Sequence, residues 1–341
     1  MIVNEIDRSD WLRITEDCEY ATFFHSPIWS DAVTNAFDGI HDKSLLIKFD
    51  NGTDAVLPLV AKSVDVSSFG LSINVSQAKS TWAGCFGDII ADGDLPSGWR
   101  RCYQKGLESL SKTYSVNIVG NPLFGQDQGL GEELDGMDVE DDFTQLIRLK
   151  EYDDFDTLFS DFQSDVRQNT RQARKNGLEV RLADGIDDWK NYFGAYQDSL
   201  ERWGDSATNN YDWEIFESLH NIAEIHGEHV KLWLVEKDGE LASGDINFYW
   251  NEHTVCWHAA SYREYLEYSP NDLLHAEKIQ DAMDRELSYY DFNPSGGHKG
   301  VVNFKSKFAT EKVPIKRWTW INSTMEKAKS LKNLFSSKYS H

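Results

Sequence analysis

Lys305 and Lys307 end a stretch, Tyr289 to Phe308, whose residue types could stabilise negative charge as it develops in a reaction. A strand finishing at Asp291 and Phe292 runs into Asn293, Pro294, Ser295, Gly296 and Gly297, residues that let the backbone turn sharply before a short helix resumes near Val301. Such a strand-to-helix loop points backbone N–H groups outward, ready for an anion. The two lysines add fixed positive charge suited to an oxyanion or a phosphate. His298 inside the loop and Asp291 at the strand end are the candidate proton acceptors for an amine attacking a bound thioester or ester, a reaction that needs no covalent enzyme intermediate. An ordinary glycine-rich turn with surface lysines is the competing reading, and these residues taken alone favour it. No Ser or Cys stands in a nucleophile-elbow context. His25, His258 and His275 are scattered and read as hydrogen-bonded structural residues.

A second cationic feature is the helix predicted over Ser164 to Lys175. Arg167, Arg171 and Arg174 fall at i, i+4 and i+7 and so share one face, with Lys175 beside them. In a chain with 57 acidic and 34 basic residues, that face suits a phosphate-bearing donor or acceptor held by guanidinium forks. Pairing with the plentiful Asp and Glu is the alternative. Trp203, with the run Ala207 to Tyr211, reads as a pocket-rim loop.

These residues need a scaffold, and 341 residues suffice for two domains of ordinary size. Hydrophobic residues at 40% and aromatics at 13% exclude a disordered chain. The net charge of −23 repels nucleic acid on average, although residues 299–341 hold ten Lys/Arg against two Glu. No apolar run approaches the ~18–20 residues of a membrane span, and Met1 to Trp11 carries acids where a signal peptide carries lysines, so the cytoplasm is the expected compartment. Cys18, Cys85, Cys102 and Cys256 make no CxxC pair, so reduced packing thiols are expected, with no metal and no tightly bound cofactor. Residues 323–341 place Met325, Ala328, Leu331, Leu334 and Phe335 at helical spacing among lysines. They predict a basic amphipathic helix that docks on the second domain or rests on anionic lipid at the inner membrane face.

One unit is written twice. Leu45 to Phe49 runs into Asn51-Gly52 and then Val56 to Val60; Leu232 to Val235 runs into Asp238-Gly239 and then Ile246 to Tyr249. Both are predicted β-hairpins. Each precedes a Trp-bearing strand (Trp82 to Gly84; Trp257 to Ala259), a helix (Ser97 to Lys112; Pro270 to Leu287) and a strand ending in Asn-Pro (Asn121-Pro122; Asn293-Pro294). The acidic, glycine-bearing run from Gly125 to Asp142 marks the boundary. Domains 1–142 and 143–322, followed by the tail 323–341, are expected, in a mixed α/β (α+β) class with helices flanking the sheets.

The order Tyr-Asp-Phe, glycine-rich loop, then Gly300-x-x-x-Phe304-Lys305-x-x-Phe308 resembles the C-terminal signature of Fem-type transferases, the bacterial peptidyltransferases that extend cell-wall precursors, and their acetyltransferase-like relatives. Phe24-His25-Ser26-Pro27-Ile28-Trp29, Val56-Leu57-Pro58-Leu59 and Ser269-Pro270-Asn271-Asp272-Leu273-Leu274 extend the resemblance over about residues 20 to 320. It implies two tandem acetyltransferase-like (GNAT-like) domains, with the chemistry in the second and Lys305 stabilising charge in the transition state. It also implies a donor cosubstrate, whether acyl-CoA, acyl-carrier thioester or aminoacyl-tRNA, and an amine acceptor in a sugar- or peptide-containing, lipid-linked envelope precursor. Two departures bear on the donor. The turn Tyr268 to Asp272 lacks the glycines of the Arg/Gln-x-x-Gly-x-Gly/Ala loop that cradles CoA pyrophosphate, and no long heptad pattern provides the coiled-coil arm of many tRNA-dependent relatives. A polysaccharide-binding module that keeps the fold without the chemistry is the other reading.

Overall fold

A computed structural model of the chain describes residues 1–3, 5–68, 71–124, 137–204, 207 and 210–322. The expected C-terminal helix over 323–341, most of the boundary run from Gly125, and Thr208 and Asn209 of the rim loop lie outside the described residues. The chain divides into two compact units, Met1–Asp142 with the described residues from Pro314 on, and Phe143–Val313.

The first unit contains β1 (Ile2–Val3), α1 (Arg8–Asp17), α2 (Pro27–Ala36), β2 (Ile40–Asp42), β3 (Leu45–Lys48), β4 (Asp54–Leu57), β5 (Val60–Ser68), β6 (Leu71–Lys79), β7 (Ile90–Ala91), α3 (Trp99–Ser109) and β8 (Thr113–Val119). β9 (Met137–Arg148) leads into the second unit, which continues with α4 (Phe155–Asp161), α5 (Ser164–Lys175), β10 (Leu178–Leu182), α6 (Ile186–Trp203), α7 (Trp213–Ile225), β11 (Val230–Lys237), β12 (Glu240–Trp250), β13 (His253–Ser261), α8 (Pro270–Asp284), β14 (Tyr289–Pro294) and α9 (Lys299–Lys305). β15 (Glu311–Ile321) follows.

In the first unit β15, β8, β6, β5 and β2 lie in that order, and β1, β3, β4 and β7 make a small antiparallel sheet. Leu45, Leu57, Tyr103, Leu107, Val116 and Ile118 form its core with Trp318 and Trp320. Those two tryptophans explain why the chain from Pro314 belongs here, whereas the sequence placed everything up to 322 in the second domain. In the second unit the order is β10-β11-β12-β13-β14-β9. The β11–β12 hairpin turns through Asp238 and Gly239, with φ of 54° and 83°, the two positive values that a type I′ turn requires. Two further expectations change. β9 begins at Met137, inside the run read as a boundary. Trp82–Gly84 is no strand: Ala83 has φ 57° in a segment of bends, and the strand running parallel to β8 is β6. Among the described residues no helix is long and apolar enough to cross a membrane.

Candidate functional site

β13 and β14 run parallel through the pairs His253–Tyr289, Thr254–Tyr290 and Val255–Asp291. Beyond that point they part, and Asn293 spans the gap. Its Nδ2 donates to the Cys256 carbonyl at 2.6 Å and approaches that of Trp257 at 3.3 Å. Asn293 sits at φ 62°, the left-handed region that Asn tolerates better than most residues. On its other edge β13 carries a bulge: Ile246 pairs with His258 but Asn247 with Cys256, so Trp257 is the extra residue. A bulge re-aims side chains. Here Cys256 meets Lys278 of α8, while both Trp257 and His258 turn to the aromatic side, against Phe216.

Beyond the point of parting, β13 borders a cavity of about 620 Å³. Its walls include Tyr196, Ser199, Arg202 and Trp203 of α6, His258 to Ser261 of β13, Asn271 and His275 of α8, and His298 to Val301. Ser261 and Ser243 both donate to Asn271 Oδ1, at 3.2 and 2.6 Å. The Tyr192 hydroxyl lies 2.6 Å from both the Nδ1 and the carbonyl oxygen of His258. Burial among aromatic rings pulls the His258 imidazole down to about 3, which keeps it neutral.

Behind this wall lies a buried polar network. Lys278, fully buried, donates to Asp245 Oδ2 at 2.5 Å and Asn247 Oδ1 at 3.0 Å, and its Nζ lies 3.5 Å from Cys256 Sγ. Cys256 Sγ donates to the Tyr290 hydroxyl at 3.2 Å, and that hydroxyl lies 2.8 Å from His275 Nδ1. Burial pushes the Cys256 thiol up to about 11. Burial, then the charges of Lys278 and Lys305, hold His275 well below the usual histidine range. Asp245, Cys256 and His275 bring ligand atoms within 4.8 Å of one another, but the Lys278 ammonium already supplies the positive charge at that spot. Asp245 and Lys278 escaped the sequence reading, which took Cys256 for a packing thiol and His275 for a hydrogen-bonded structural residue. The signal was there in Asp245-x-Asn247, polar residues two apart that share one face of a strand.

Of the residues named from the sequence, His298 and Trp203 reach the cavity, with ring centroids 5.9 Å apart, as do Ala207 of the rim run and His258 and His275, which were read as structural. His298 Nε2 is buried and has no partner among the described residues. Gly296 and Gly297 have φ of 56° and 80°, and the Ser295 carbonyl accepts from the His298 amide at 3.1 Å. Lys305 is buried, its Nζ donating to both the backbone carbonyl and Oδ1 of Asn293 at 2.8 Å. It braces the gap-spanning residue and does not line the cavity. Asp291 has no exposure; it accepts from Thr144 Oγ1 at 2.5 Å and from the Asn293 amide at 2.8 Å, and lies 3.3 Å from His253 Nε2. A carboxylate so enclosed is a brace and not a proton acceptor for substrate. The cationic face of α5 also stands apart from the cavity. Arg167 donates to the Ser160 carbonyl, Arg171 lies over the Phe159 ring, Arg174 pairs with Glu277 at 2.7 Å, and Lys175 is exposed. Lys307 pairs with Asp165 at 2.6 Å. Of the three arginines, Arg174 has the acidic partner that the alternative reading expected, while Arg167 and Arg171 meet a carbonyl and a ring.

Residues 160–306 match the family described as the acetyltransferase (GNAT) domain. The matched stretch lies within the second unit, Phe143–Val313. Around it the whole chain has a Fem-type tandem GNAT fold. FemX is similar in structure with a TM-score of 0.68 at 13% identity, over 95% of this chain and 98% of that one. A tandem GNAT protein from the clavulanic acid biosynthesis pathway is similar with a TM-score of 0.54 at 10% identity, over 94% and 98%. The C-terminal domain of a putative lysylphosphatidylglycerol synthetase from Agrobacterium fabrum also gives 0.54, at 11% identity, over 95% of both chains. No curated protein matches the sequence.

In this GNAT domain the turn ahead of α8 is built differently from a glycine cradle. Ser269 occupies the left-handed region at φ 54°, and Pro270 offers no N–H. Asp272 places a buried carboxyl in the first turn, where it accepts from Asn169 Nδ2 at 2.7 Å. An acidic group already occupies the end of the helix where a pyrophosphate would bind.

Proposed function

We propose that the GNAT domain transfers an activated acyl or aminoacyl group to an amine of a sugar- or peptide-containing envelope precursor. The observation carrying this reading is the cavity between the parted β13 and the N-terminal end of α9, inside the segment that matches the acetyltransferase family. The amine nitrogen attacks the carbonyl carbon of a bound ester or thioester, the C–O or C–S bond breaks, and the amine proton passes to His298 and from it to the departing alkoxide or thiolate, which leaves as the alcohol or thiol. Lys305 acts through Asn293, holding the loop and the gap in place. Asp272 at the start of α8 favours an aminoacyl-tRNA or a carrier-bound thioester over acyl-CoA as donor. The fold neighbours support the same class, one being named FemX and another a putative lysylphosphatidylglycerol synthetase, and they suggest a lipid-linked acceptor.

The test offers the protein acetyl-CoA, a carrier-bound acyl thioester and alanyl-tRNA in turn, with glucosamine and a muramoyl-pentapeptide precursor as acceptors, and weighs the products by mass spectrometry. An acceptor heavier by one acyl group is expected from tRNA or carrier, with His298→Ala slower by roughly 10²–10³. No transfer from any donor to either amine refutes the reading.

A further inference from the structure

The cavity wall contains two histidines whose protons are fixed in opposite senses by what lies behind them. Tyr192 has one hydroxyl proton and two neighbours, the carbonyl oxygen and Nδ1 of His258, each at 2.6 Å. A carbonyl oxygen only accepts, so the hydroxyl donates to it, and the ring must carry its proton on Nδ1 to meet the phenol oxygen. Nε2 of His258 is therefore a bare lone pair. It has no partner among the described residues, and the residue lines the cavity.

His275 is set the other way. Lys278 and Asn247 Nδ2, 3.5 and 3.7 Å from Cys256 Sγ, both present N–H groups to the sulfur. Asn247 Oδ1 is turned to Lys278, which fixes the amide's orientation. The thiol proton is left with the Tyr290 oxygen as its acceptor at 3.2 Å. The Tyr290 proton then goes to His275 Nδ1 at 2.8 Å, so this ring keeps its proton on Nε2. The donor chain runs from the Asp245–Lys278 pair through Cys256 and Tyr290 to His275, and it ends in an N–H on the cavity wall.

We propose that His258 and His275 are an opposed pair of substrate-binding residues, in which His258 Nε2 accepts an N–H of the attacking amine and His275 Nε2–H donates to the oxygen of the carbonyl under attack. The assignment of roles rests on the transfer reading given above; the tautomers themselves do not. Both rings stay neutral, His258 through burial and His275 through burial and two nearby lysines. A neutral His258 leaves the amine uncharged and unrepelled. A neutral His275 offers its donor without the desolvation cost of a buried cation.

The experiment is ¹⁵N NMR of the intact chain with labelled histidine, the two rings assigned by the loss of signals in His258→Gln and His275→Gln. The free protein should show Nδ1 protonated and Nε2 bare in His258, the reverse in His275, and neither ring titrating between pH 5 and 8. Two small probes then read the polarity. Methylammonium, which only donates, should move His258 Nε2 and leave His275 still; N,N-dimethylacetamide, which only accepts, should do the opposite. Tyr192→Phe should release His258 to a mixture of tautomers without touching His275. Identical tautomers, an ordinary titration of either ring, or probe shifts that are absent or reversed would overturn the proposal. Because tautomers are read without any donor, their confirmation beside a failed transfer assay would convict the transfer reading alone.

Discussion

The two units handle the same structural moment in opposite ways. In the first, the parallel pair β6–β8 is extended by the segment that follows β6. Ser80 N donates to the Asn117 carbonyl at 2.8 Å, Val119 N to Ser80 Oγ at 3.0 Å and Gly87 N to the Val119 carbonyl at 3.0 Å, while Phe86 is wholly buried. In the second, the pair β13–β14 parts, Asn293 spans the gap, and β13 beyond it lines a cavity. The helices between the paired strands differ in the same sense. α3 buries Trp99, Tyr103, Gly106 and Leu107, whereas α8 buries Asp272, His275 and Lys278 beside its apolar residues. A duplicated architecture therefore does not duplicate the chemistry, because a site needs both an unfilled gap and polar groups aimed into it.

The sharpest way to break this contrast is to remove the charge behind the second unit's site. Lys278→Met leaves Asp245 buried beside an apolar chain, and Asp245 Oδ1 already has no partner. A loss of about 3–5 kcal/mol in urea unfolding is expected, most of it restored by adding Asp245→Val. A single variant as stable as the wild type would mean that the pair contributes little.

The first unit has a buried carboxyl without a lysine. Asp88 is fully enclosed, accepts from the Ile89 amide at 2.7 Å, and is pushed by burial up to about 7. Its folded value exceeds the unfolded one, so the folded state binds the proton more tightly. Its contribution to stability is therefore complete below about pH 4 and is lost as pH rises towards 7. Asp88→Asn should flatten the fall in unfolding free energy over that window by as much as a few kcal/mol. An identical pH slope in the variant would show the carboxylate to be solvated.

The segment after β6 that extends the β6–β8 pair can itself be strained. A Cβ on Gly87 would come within 2.3 Å of Ser80 Oγ and 2.7 Å of Ser80 Cβ. Gly87→Ala should cost about 1–3 kcal/mol through overpacking, yet leave the signals of His258 and His275 unchanged. Movement of those signals would mean that the first unit's filled gap and the second unit's open one are coupled.

How much of this was legible in the sequence follows from the range of the forces involved. The hairpins at Asn51-Gly52 and Asp238-Gly239 were readable because turn chemistry is local. The cavity-lining role of Trp203 and His298 was readable for a similar reason, one closing a long helix and the other set in a glycine-rich loop. Lys305 drew attention by its motif, but its partner, Asn293, could be known only once the left-handed turn was seen. Asp291 has the composition of a base and the surroundings of a brace. The bulge at Trp257, which puts two successive side chains on one face, leaves no mark in an alternating pattern. The Lys278 network joins residues on three strands and one helix, contacts that no spacing rule brings together. β15 escaped for the same reason: Trp318 and Trp320 find their core far back in the chain.

The smallest expected effect tests the feature that looked most like a binding site. Arg167, Arg171 and Arg174 share a helix face, yet each is accounted for locally, by a carbonyl, an aromatic ring and a carboxylate. The Arg174–Glu277 pair has side chains 47% and 32% exposed, where water screens the attraction and the side chains lose freedom in forming it. Such pairs are worth about 0–1 kcal/mol. The triple change to Gln should therefore shift the unfolding midpoint only slightly, with most of the loss coming from the Ser160 carbonyl, which must find water instead. Its effect on ligands separates the two accounts of the helix. If the face is ordinary surface, titration with inorganic pyrophosphate, followed by amide shifts at low and high salt, gives the same response in variant and wild type. If the face holds phosphate, the wild type alone shows saturable shifts on α5 that fade as salt rises, since three contacts would vanish together. That second outcome would place a phosphate site on the opposite side of α8's first turn from the cavity residues and would require the donor to span both.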